Sequence, residues 1–305
     1  MAVIVLGSIN IDLVVQVSHL PHKGETVIGN NFFTACGGKG ANGAVAIAKL
    51  GIPVSMVGQV GGDQFGETLL KGLQSAGVNT QGVIINPDTH SGVASIVVDQ
   101  HGDNTIACAG GANSLVGDAE IQQFKALLPG AKVVSLELGI PLDVVVAAAS
   151  AASAADCIVI LDPAPARNDL PDELYPLIDI ITPNEVEASQ LVGFPVIDPE
   201  TATRAALILQ QRGVKTVIVT LGSQGALCCS ANETFFVPAL SVSVVDTVAA
   251  GDAFNGGLVA ALASGKSLPE AMQWATVAGA LSVTQAGAQS SLPDRASFLQ
   301  FLSSH

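Results

Sequence analysis

The sequence predicts an α/β fold: a doubly wound, mostly parallel sheet flanked by helices, with a small β-sheet lid. Three observations predict it. Short β-rich runs alternate with helical patterns from end to end. Several of those runs are continuously apolar, as in strands buried on both faces. Two stretches, at about 14–35 and 89–109, break the alternation with strand-like pieces and no helix. The whole chain, 1–305, reads as one domain carrying those two insertions.

In chain order, strands are expected at Ala2–Leu6, Val54–Val57, Val133–Leu136, Cys157–Leu161, Ile178–Ile181, Thr216–Thr220 and Leu240–Val245. The last alternates with period two. Helices are expected at Gly40–Leu50, Gln64–Ala76, Ala119–Leu127, Leu142–Ala155, Glu200–Gln211, Gly251–Ala263 and Leu268–Gln285. In the sixth, Phe254, Leu258, Ala261 and Leu262 recur at helical spacing. The first insertion holds Pro21, Gly24 and Gly29. The second reads as a hairpin, with Val93–Asp99, then Gly102, then Thr105–Ala107. A small sheet built from both needs cover on its second face, from a ligand site or a second subunit.

Composition bounds the function. Net charge is −14, from 12 Lys+Arg against 26 Asp+Glu. A nucleic-acid surface needs clustered cations, so none is expected. A small phosphorylated ligand remains open, because backbone amides, a metal and one or two cations suffice. Mean hydropathy is high at +0.51. Even so, the longest apolar run, Val144–Ala155, is far short of the ~20 residues of a membrane span. The first residues read as a strand and lack a basic leader. The five Cys show no ligand or disulfide spacing. Cys157, Cys228 and Cys229 lie in apolar runs and read as core, and Cys36 stands next to a Gly pair. A cytoplasmic protein without membrane or nucleic-acid partners is expected.

Polar residues gather at strand ends. Asp246-Thr247-Val248-Ala249-Ala250-Gly251-Asp252 joins a strand-like run to a helix through small residues. Such a turn aims free N–H groups at an anion. Asp252 there is either a helix cap or a general base. Gly37-Gly38-Lys39-Gly40-Ala41-Asn42 opens another helix and lets backbone approach a ligand; it is not a Walker loop. Asn10 and Asp12 alternate after the first strand, so both point to one side. Glu137 and Asp162 end strands, and Thr220-Leu221-Gly222-Ser223-Gln224-Gly225 follows one. Asn184-Glu185-Val186-Glu187 follows Thr182-Pro183. Glu185 and Glu187 are hard-oxygen groups that suit Mg²⁺ through water, or carboxylates at a solvated helix start. Convergence of so many polar ends on one sheet edge is where a binding site is expected.

On these motifs the chain resembles the PfkB carbohydrate kinases over nearly its whole length. Supporting matches are Gly7-Ser8-Ile9-Asn10-Ile11-Asp12, Pro163-Ala164-Pro165-Ala166-Arg167, Thr182-Pro183-Asn184-Glu185 with Glu187, and Gly287-Ala288-Gln289-Ser290-Ser291. The resemblance implies ATP-dependent phosphorylation of D-ribose at its 5-hydroxyl. It makes Asp252 the base and Ala249, Ala250 and Gly251 the anion hole. Asn10, Asp12, Gly38, Lys39, Gly40, Ala41, Asn42 and Glu137 would bind the sugar. Asn184, Thr220, Leu221, Gly222, Ser223, Gln224 and Gly225 would line the nucleotide site, with Thr276 near adenine. Glu187 would organise Mg²⁺. Oxygens of Asp246, Val248, Ser282, Gln285, Gly287 and Ser291 would hold a monovalent cation, typically K⁺. The lid would pair two chains into a homodimer. Three positions depart from the pattern: Gly43 where Gln is frequent, Asp162 where Asn is common, and Gln285 where a basic residue is frequent. Other readings are a kinase for fructose, deoxyribose or a nucleoside, and a non-catalytic sensor on the same fold. Aromatics at 4% argue against stacking on a base.

Overall fold

The computed structural model describes residues 2–304. Its first half runs β1 (Ala2–Leu6), β2 (Asn10–Gln16), β3 (Asn31–Gly37), α1 (Lys39–Lys49), β4 (Val54–Gly61), α2 (Gln64–Ser75), β5 (Asn79–Asn86), β6 (Gly92–Val98), β7 (Asn104–Ala109), α3 (Asp118–Leu127) and β8 (Ala131–Glu137). The second half runs α4 (Leu142–Ala154), β9 (Ile158–Asp162), β10 (Ile180–Ile181), α5 (Glu185–Val192), α6 (Pro199–Gln211), β11 (Thr216–Thr220), β12 (Gly225–Cys229), β13 (Thr234–Pro238), α7 (Ala250–Ala263), α8 (Leu268–Ser282) and α9 (Arg295–Leu302).

Nine strands form one sheet in the order β13-β12-β11-β10-β9-β8-β1-β4-β5. All neighbours are parallel from β5 to β11, and β12 and β13 add an antiparallel edge. Each face carries its own core. One holds Phe124, Val145, Ala148 and Leu209; the other holds Ile47, Leu258, Met272 and Ala275. That two-sided burial explains why the strands read as continuous apolar runs. Among the described residues no helix is long and apolar enough to cross a membrane.

The helix α1 packs on α7 with unusually small residues. A Cβ on Gly256 would sit 2.4 Å from the Ala46 Cβ, so glycine is what lets the two helices meet. This contact sets the spacing of everything carried on their N-terminal ends.

A second sheet of four strands has the order β3-β2-β6-β7. It begins at Asn10, four residues before the first insertion expected from sequence, so β2 carries Asn10 and Asp12 into it. Paired residues share a face, which puts Ala35, Asp12, Ala94 and Cys108 in one row. Ile28, Phe32, Phe33 and Ile106 on or beside this sheet are exposed.

Several expected elements differ. Leu240–Val245 is not a strand: the sheet already ends at β13, and Val245 N and Asp246 N bond Val283 O instead. The hairpin β12–β13, β5 and the short helix α9 lacked a sequence expectation, and of α5 only a helix start at Glu185 and Glu187 was one of two readings. Leu268–Gln285 ends as helix at Ser282. Cys157, Cys228 and Cys229 are buried, while Cys36 is half-buried with its Sγ 3.1 Å from where a Gly72 Cβ would stand, against α2.

Candidate active site

The C-terminal ends of β1, β8, β9 and β11 meet the N-terminal ends of α1, α5 and α7 on one edge of the large sheet. In open α/β sheets that edge is the ligand edge. Two small adjoining cavities, partly open to solvent, lie there, and Lys39, Asp162 and Asn255 belong to both. The first also reaches Gly40, Gly43, Glu137 and Asp252; the second reaches Thr182, Asn184, Glu187, Thr220 and Gly251.

Asp252 stands in the first turn of α7 and is buried. Its Oδ2 accepts a hydrogen bond from Asn42 Nδ2 at 2.7 Å, and its Oδ1 lies 3.9 Å from Lys39 Nζ. It does not cap its own helix, because Ala249 holds the N-cap position with no side-chain bond. The capping reading of Asp252 therefore falls away. Ala249 adopts φ 60°, ψ 13°, a left-handed conformation that non-glycine residues rarely take. The turn brings Gly251 and Asp252, whose amides have no intrahelical acceptor, to the two cavities, while the Ala250 amide donates to Thr247 O at 3.3 Å.

Lys39 sits between two carboxylates, 4.0 Å from Asp162 Oδ2 and 3.9 Å from Asp252 Oδ1. Burial opposes its charge, but Asp162, Asp252, Glu187 and Glu137 outweigh it and raise the ammonium pKa. Burial pushes Asp162 up to about 8, against the pull of Lys39. Asp12 is raised to about 6, by burial first and then by the charge of Asp252. Five carboxylates thus share one nearby cation, an arrangement that favours further positive charge from a ligand.

Glu137 is buried at the end of β8. Its Oε1 accepts the Ser8 amide and its Oε2 accepts the Gly139 amide at 2.8 Å. Burial raises its pKa, and these backbone bonds offset part of that. Asn10 Oδ1 accepts from Asn113 Nδ2 at 2.7 Å, and Asn113 Oδ1 in turn takes the Ile9 amide at 2.9 Å. Asn42 Oδ1 and Asn255 Oδ1 are buried without a hydrogen-bond partner. The Asn42 oxygen beside Asp252 suits a ligand hydroxyl as donor.

At the second cavity, Asn184 Oδ1 caps α5 by accepting the Val186 and Glu187 amides, both at 2.9 Å. Glu187 Oε2 takes the Asn184 amide at 2.8 Å, completing a capping box. Burial raises the Glu187 pKa, countered by that bond and by Lys39. Thr220 pairs with Asn184 through an isolated bridge. Gly222, Ser223 and Gln224 form a single 3₁₀ turn before Gly225 opens β12. Leu221 and Ala41 are fully buried, so only their backbone can serve a ligand. Thr276 bonds its own helix, Oγ1 to Met272 O at 2.9 Å, and lines neither cavity.

The profile of the pfkB family carbohydrate kinases matches residues 2–295. The chain belongs to the PfkB family. A ribokinase of Haemophilus influenzae is 41% identical over 298 residues, covering 98% of this chain and 97% of its own. A deoxyribokinase of Salmonella typhi is 37% identical over 303 residues, 99% of each chain. The structure of Arabidopsis thaliana ribokinase complexed with ribose and ATP superposes with a TM-score of 0.91 at 34% identity, covering 98% of each chain.

In this PfkB kinase the segment before the turn is tied to a second loop. Asp246 Oδ1 accepts the Val248 amide at 3.0 Å and Asp246 Oδ2 accepts the Gly287 amide at 2.8 Å. Ser282 and Ser291 are buried, their hydroxyls turned to Gly279 O and Ala288 O, both at 2.8 Å. Their own carbonyls and that of Val248 are oxygen donors of the kind a monovalent cation takes. Among the described residues no cluster of three or more His, Cys, Asp or Glu could hold a metal alone. Cations here therefore need backbone, water or phosphate oxygens besides side chains.

Sequence reasoning missed Ser8, Asn113 and Asn255 as site residues. Asn255 lies three residues after Asp252, one helical turn along the same face, and that spacing could have found it. Asn113 acts from a 3₁₀ turn at Gly111–Leu115 that carries no sequence signal.

Proposed function

We propose that this PfkB kinase transfers the terminal phosphoryl group of ATP to the 5-hydroxyl of D-ribose. The observation that carries the proposal is Asp252. It is a buried carboxylate at the start of α7, held by Asn42, facing a cavity that adjoins a second one lined by Asn184 and Thr220. Likeness to a ribokinase bound to ribose and ATP supports the choice of sugar and nucleotide.

Asn10, Asp12, Gly38, Lys39, Asn42 and Glu137 bind the sugar hydroxyls in this reading. Asp252 accepts the proton of the attacking hydroxyl as it approaches phosphorus. Ala249, Ala250 and Gly251 form the anion hole in this reading, and backbone N–H groups at the start of α7 take up charge on the transferring phosphoryl oxygens. Lys39 bridges the two cavities and stabilises the same charge. Asn184, Thr220 and the 221–225 turn hold the nucleotide, with Thr276 toward the adenine.

Glu187 fits a role in holding Mg²⁺ through water, since one of its oxygens is engaged by Asn184 N and the other is not so engaged. When bound, Mg²⁺ would supply neutralisation of the phosphate charge. Carbonyl or side-chain oxygens of Asp246, Val248, Ser282, Gln285, Gly287 and Ser291 are assigned to K⁺. The bond from Gly287 N to Asp246 supports that assignment by holding the two segments together. The chain is assigned as a single kinase domain, 1–305, acting in the cytoplasm. Insertions at about 14–35 and 89–109 are assigned as the lid, and the exposed apolar residues of that sheet support pairing into a homodimer.

A coupled ADP-release assay over pentoses, hexoses and nucleosides, with and without potassium, tests the whole reading. Preference for D-ribose with potassium activation is the expected result. A preference for 2-deoxyribose, as the deoxyribokinase relative allows, keeps the Asp252 mechanism and changes the substrate. No turnover of any acceptor overturns the kinase reading for sugars.

A further inference from the structure

Lys49 lies in the last turn of α1, at the opposite end of that helix from Lys39 and Asn42. Its ammonium does not cap its own helix. It donates to Gln289 O at 2.8 Å and to Leu292 O at 2.9 Å, across more than two hundred residues of chain. The side chain is half-buried; burial lowers its pKa and Asp294 opposes that. Two bonds to backbone carbonyls fix a loop more firmly than one, because they set both position and direction.

The loop so fixed is the one that meets Asp246. Gly287 N donates to Asp246 Oδ2, Asp246 Oδ1 takes Val248 N, and Val248 leads directly into the left-handed Ala249. A continuous path therefore runs from the C-terminal end of α1 through residues 287–292 and Asp246 to the amides at the start of α7. At its other end α1 reaches the same place directly, through Asn42 on Asp252. The helix holds the phosphoryl turn at two points, and Lys49 makes the remote one.

We propose that Lys49 is a positioning residue that shapes the 287–292 loop for its monovalent cation and, through Asp246, holds the anion turn. This rests on the potassium reading given above. The carbonyls that Lys49 takes are not among the assigned cation ligands. Lys49 therefore engages two carbonyls of the loop and leaves the assigned ligand oxygens free of its charge. Groups that support a bound metal from behind are worth roughly 10–100-fold in its affinity.

The test uses Lys49→Met and Lys49→Gln against Lys49→Arg. Melting temperature is followed as a function of potassium, in tetramethylammonium buffer of constant ionic strength, and turnover is followed over the same series. Lys49→Met is expected to raise the half-saturating potassium about tenfold or more in both readouts, with sugar KM within about twofold of wild type. Lys49→Arg, which keeps a charged donor, is expected to stay within about threefold. Lys49→Gln keeps a neutral donor and falls between, so it decides the matter should Lys49→Met fail to fold. Unchanged half-saturation in the folded variants overturns the role of Lys49. A wild-type melting temperature indifferent to potassium overturns the cation loop as well, and leaves sugar phosphorylation to be judged by its own assay.

Discussion

Gly256→Ala tests how tightly the helix pair controls the chemistry. The added Cβ would stand 2.4 Å from the Ala46 Cβ. Carbon atoms prefer about 3.5–4.0 Å, so α1 and α7 must part by about 1 Å. Overpacking of this kind costs about 1–3 kcal/mol, and the better helix propensity of alanine returns about 1 kcal/mol. The net loss is ~1 kcal/mol, a drop of about 2 °C in melting temperature for a chain of this size. The effect on turnover is larger. Separation pulls Asn42 away from Asp252, whose bond is 2.7 Å long, and misplacement near 1 Å costs about 100-fold. Ala46→Gly in the same chain removes the clash, because the next nearest Ala46 atoms are 3.5 Å away. The double variant is therefore expected to recover most of the activity while remaining about as unstable as Ala46→Gly alone. Thermal unfolding and sugar-dependent ADP release on the four proteins measure both quantities. A Gly256→Ala protein within threefold of wild-type turnover would refute the argument, as would a double variant no more active than the single.

Three further outcomes are expected. Asp252→Asn should fold normally and lose turnover by roughly 10²–10⁴-fold, the range for a lost general base; near wild-type rates would remove the base role. Asp162→Asn should flatten the pH dependence of stability. The folded pKa of Asp162 is raised to about 8, so its contribution is full below the unfolded carboxylate pKa and is lost as pH rises through about 8. Melting curves from pH 4 to 9 should show the variant gaining on wild type as pH rises, and parallel curves would count against this burial effect. Asn184→Ala removes the acceptor of two amides at the start of α5 and should cost about 0.5–2 kcal/mol in denaturant unfolding. It should also raise the KM for ATP more than that for the sugar; an equal effect on both would refute the proposed role of Asn184 in holding the nucleotide.

Much of the large sheet was legible because buried parallel strands are apolar throughout and their helices are periodic. Ala2–Leu6 and Thr216–Thr220 were read to the residue for that reason. Leu240–Val245 misled because alternation alone does not supply a partner strand, and this run lies beyond the sheet edge. The hairpin β12–β13 was missed where an apolar run, Gly225–Cys229, follows directly on a turn already credited to ligand binding. At the site, motif residues such as Lys39, Asn42 and Asp252 were legible through their local pattern, and the structure brings those three together. Asn113 was not, since its value comes from contacts with Ile9 and Asn10 about a hundred residues away. Lys49 was hidden for the same reason: a lysine at a helix end looks like a solvated charge until the chain returns to cover it.

Ala249 carries a consequence for selection experiments. Its backbone at φ 60° places an L side chain where most residues are strained by about 1–2 kcal/mol. A saturation library at this one position, screened for heat resistance alone, should therefore enrich glycine and asparagine and discard valine, isoleucine and threonine. Screened for phosphorylation, the same library should favour alanine over glycine, because glycine lets the turn relax and the amides lose their aim. The two screens would then pull one codon in opposite directions, and the ranking of alanine against glycine would report how much rigidity the transferring phosphoryl group demands.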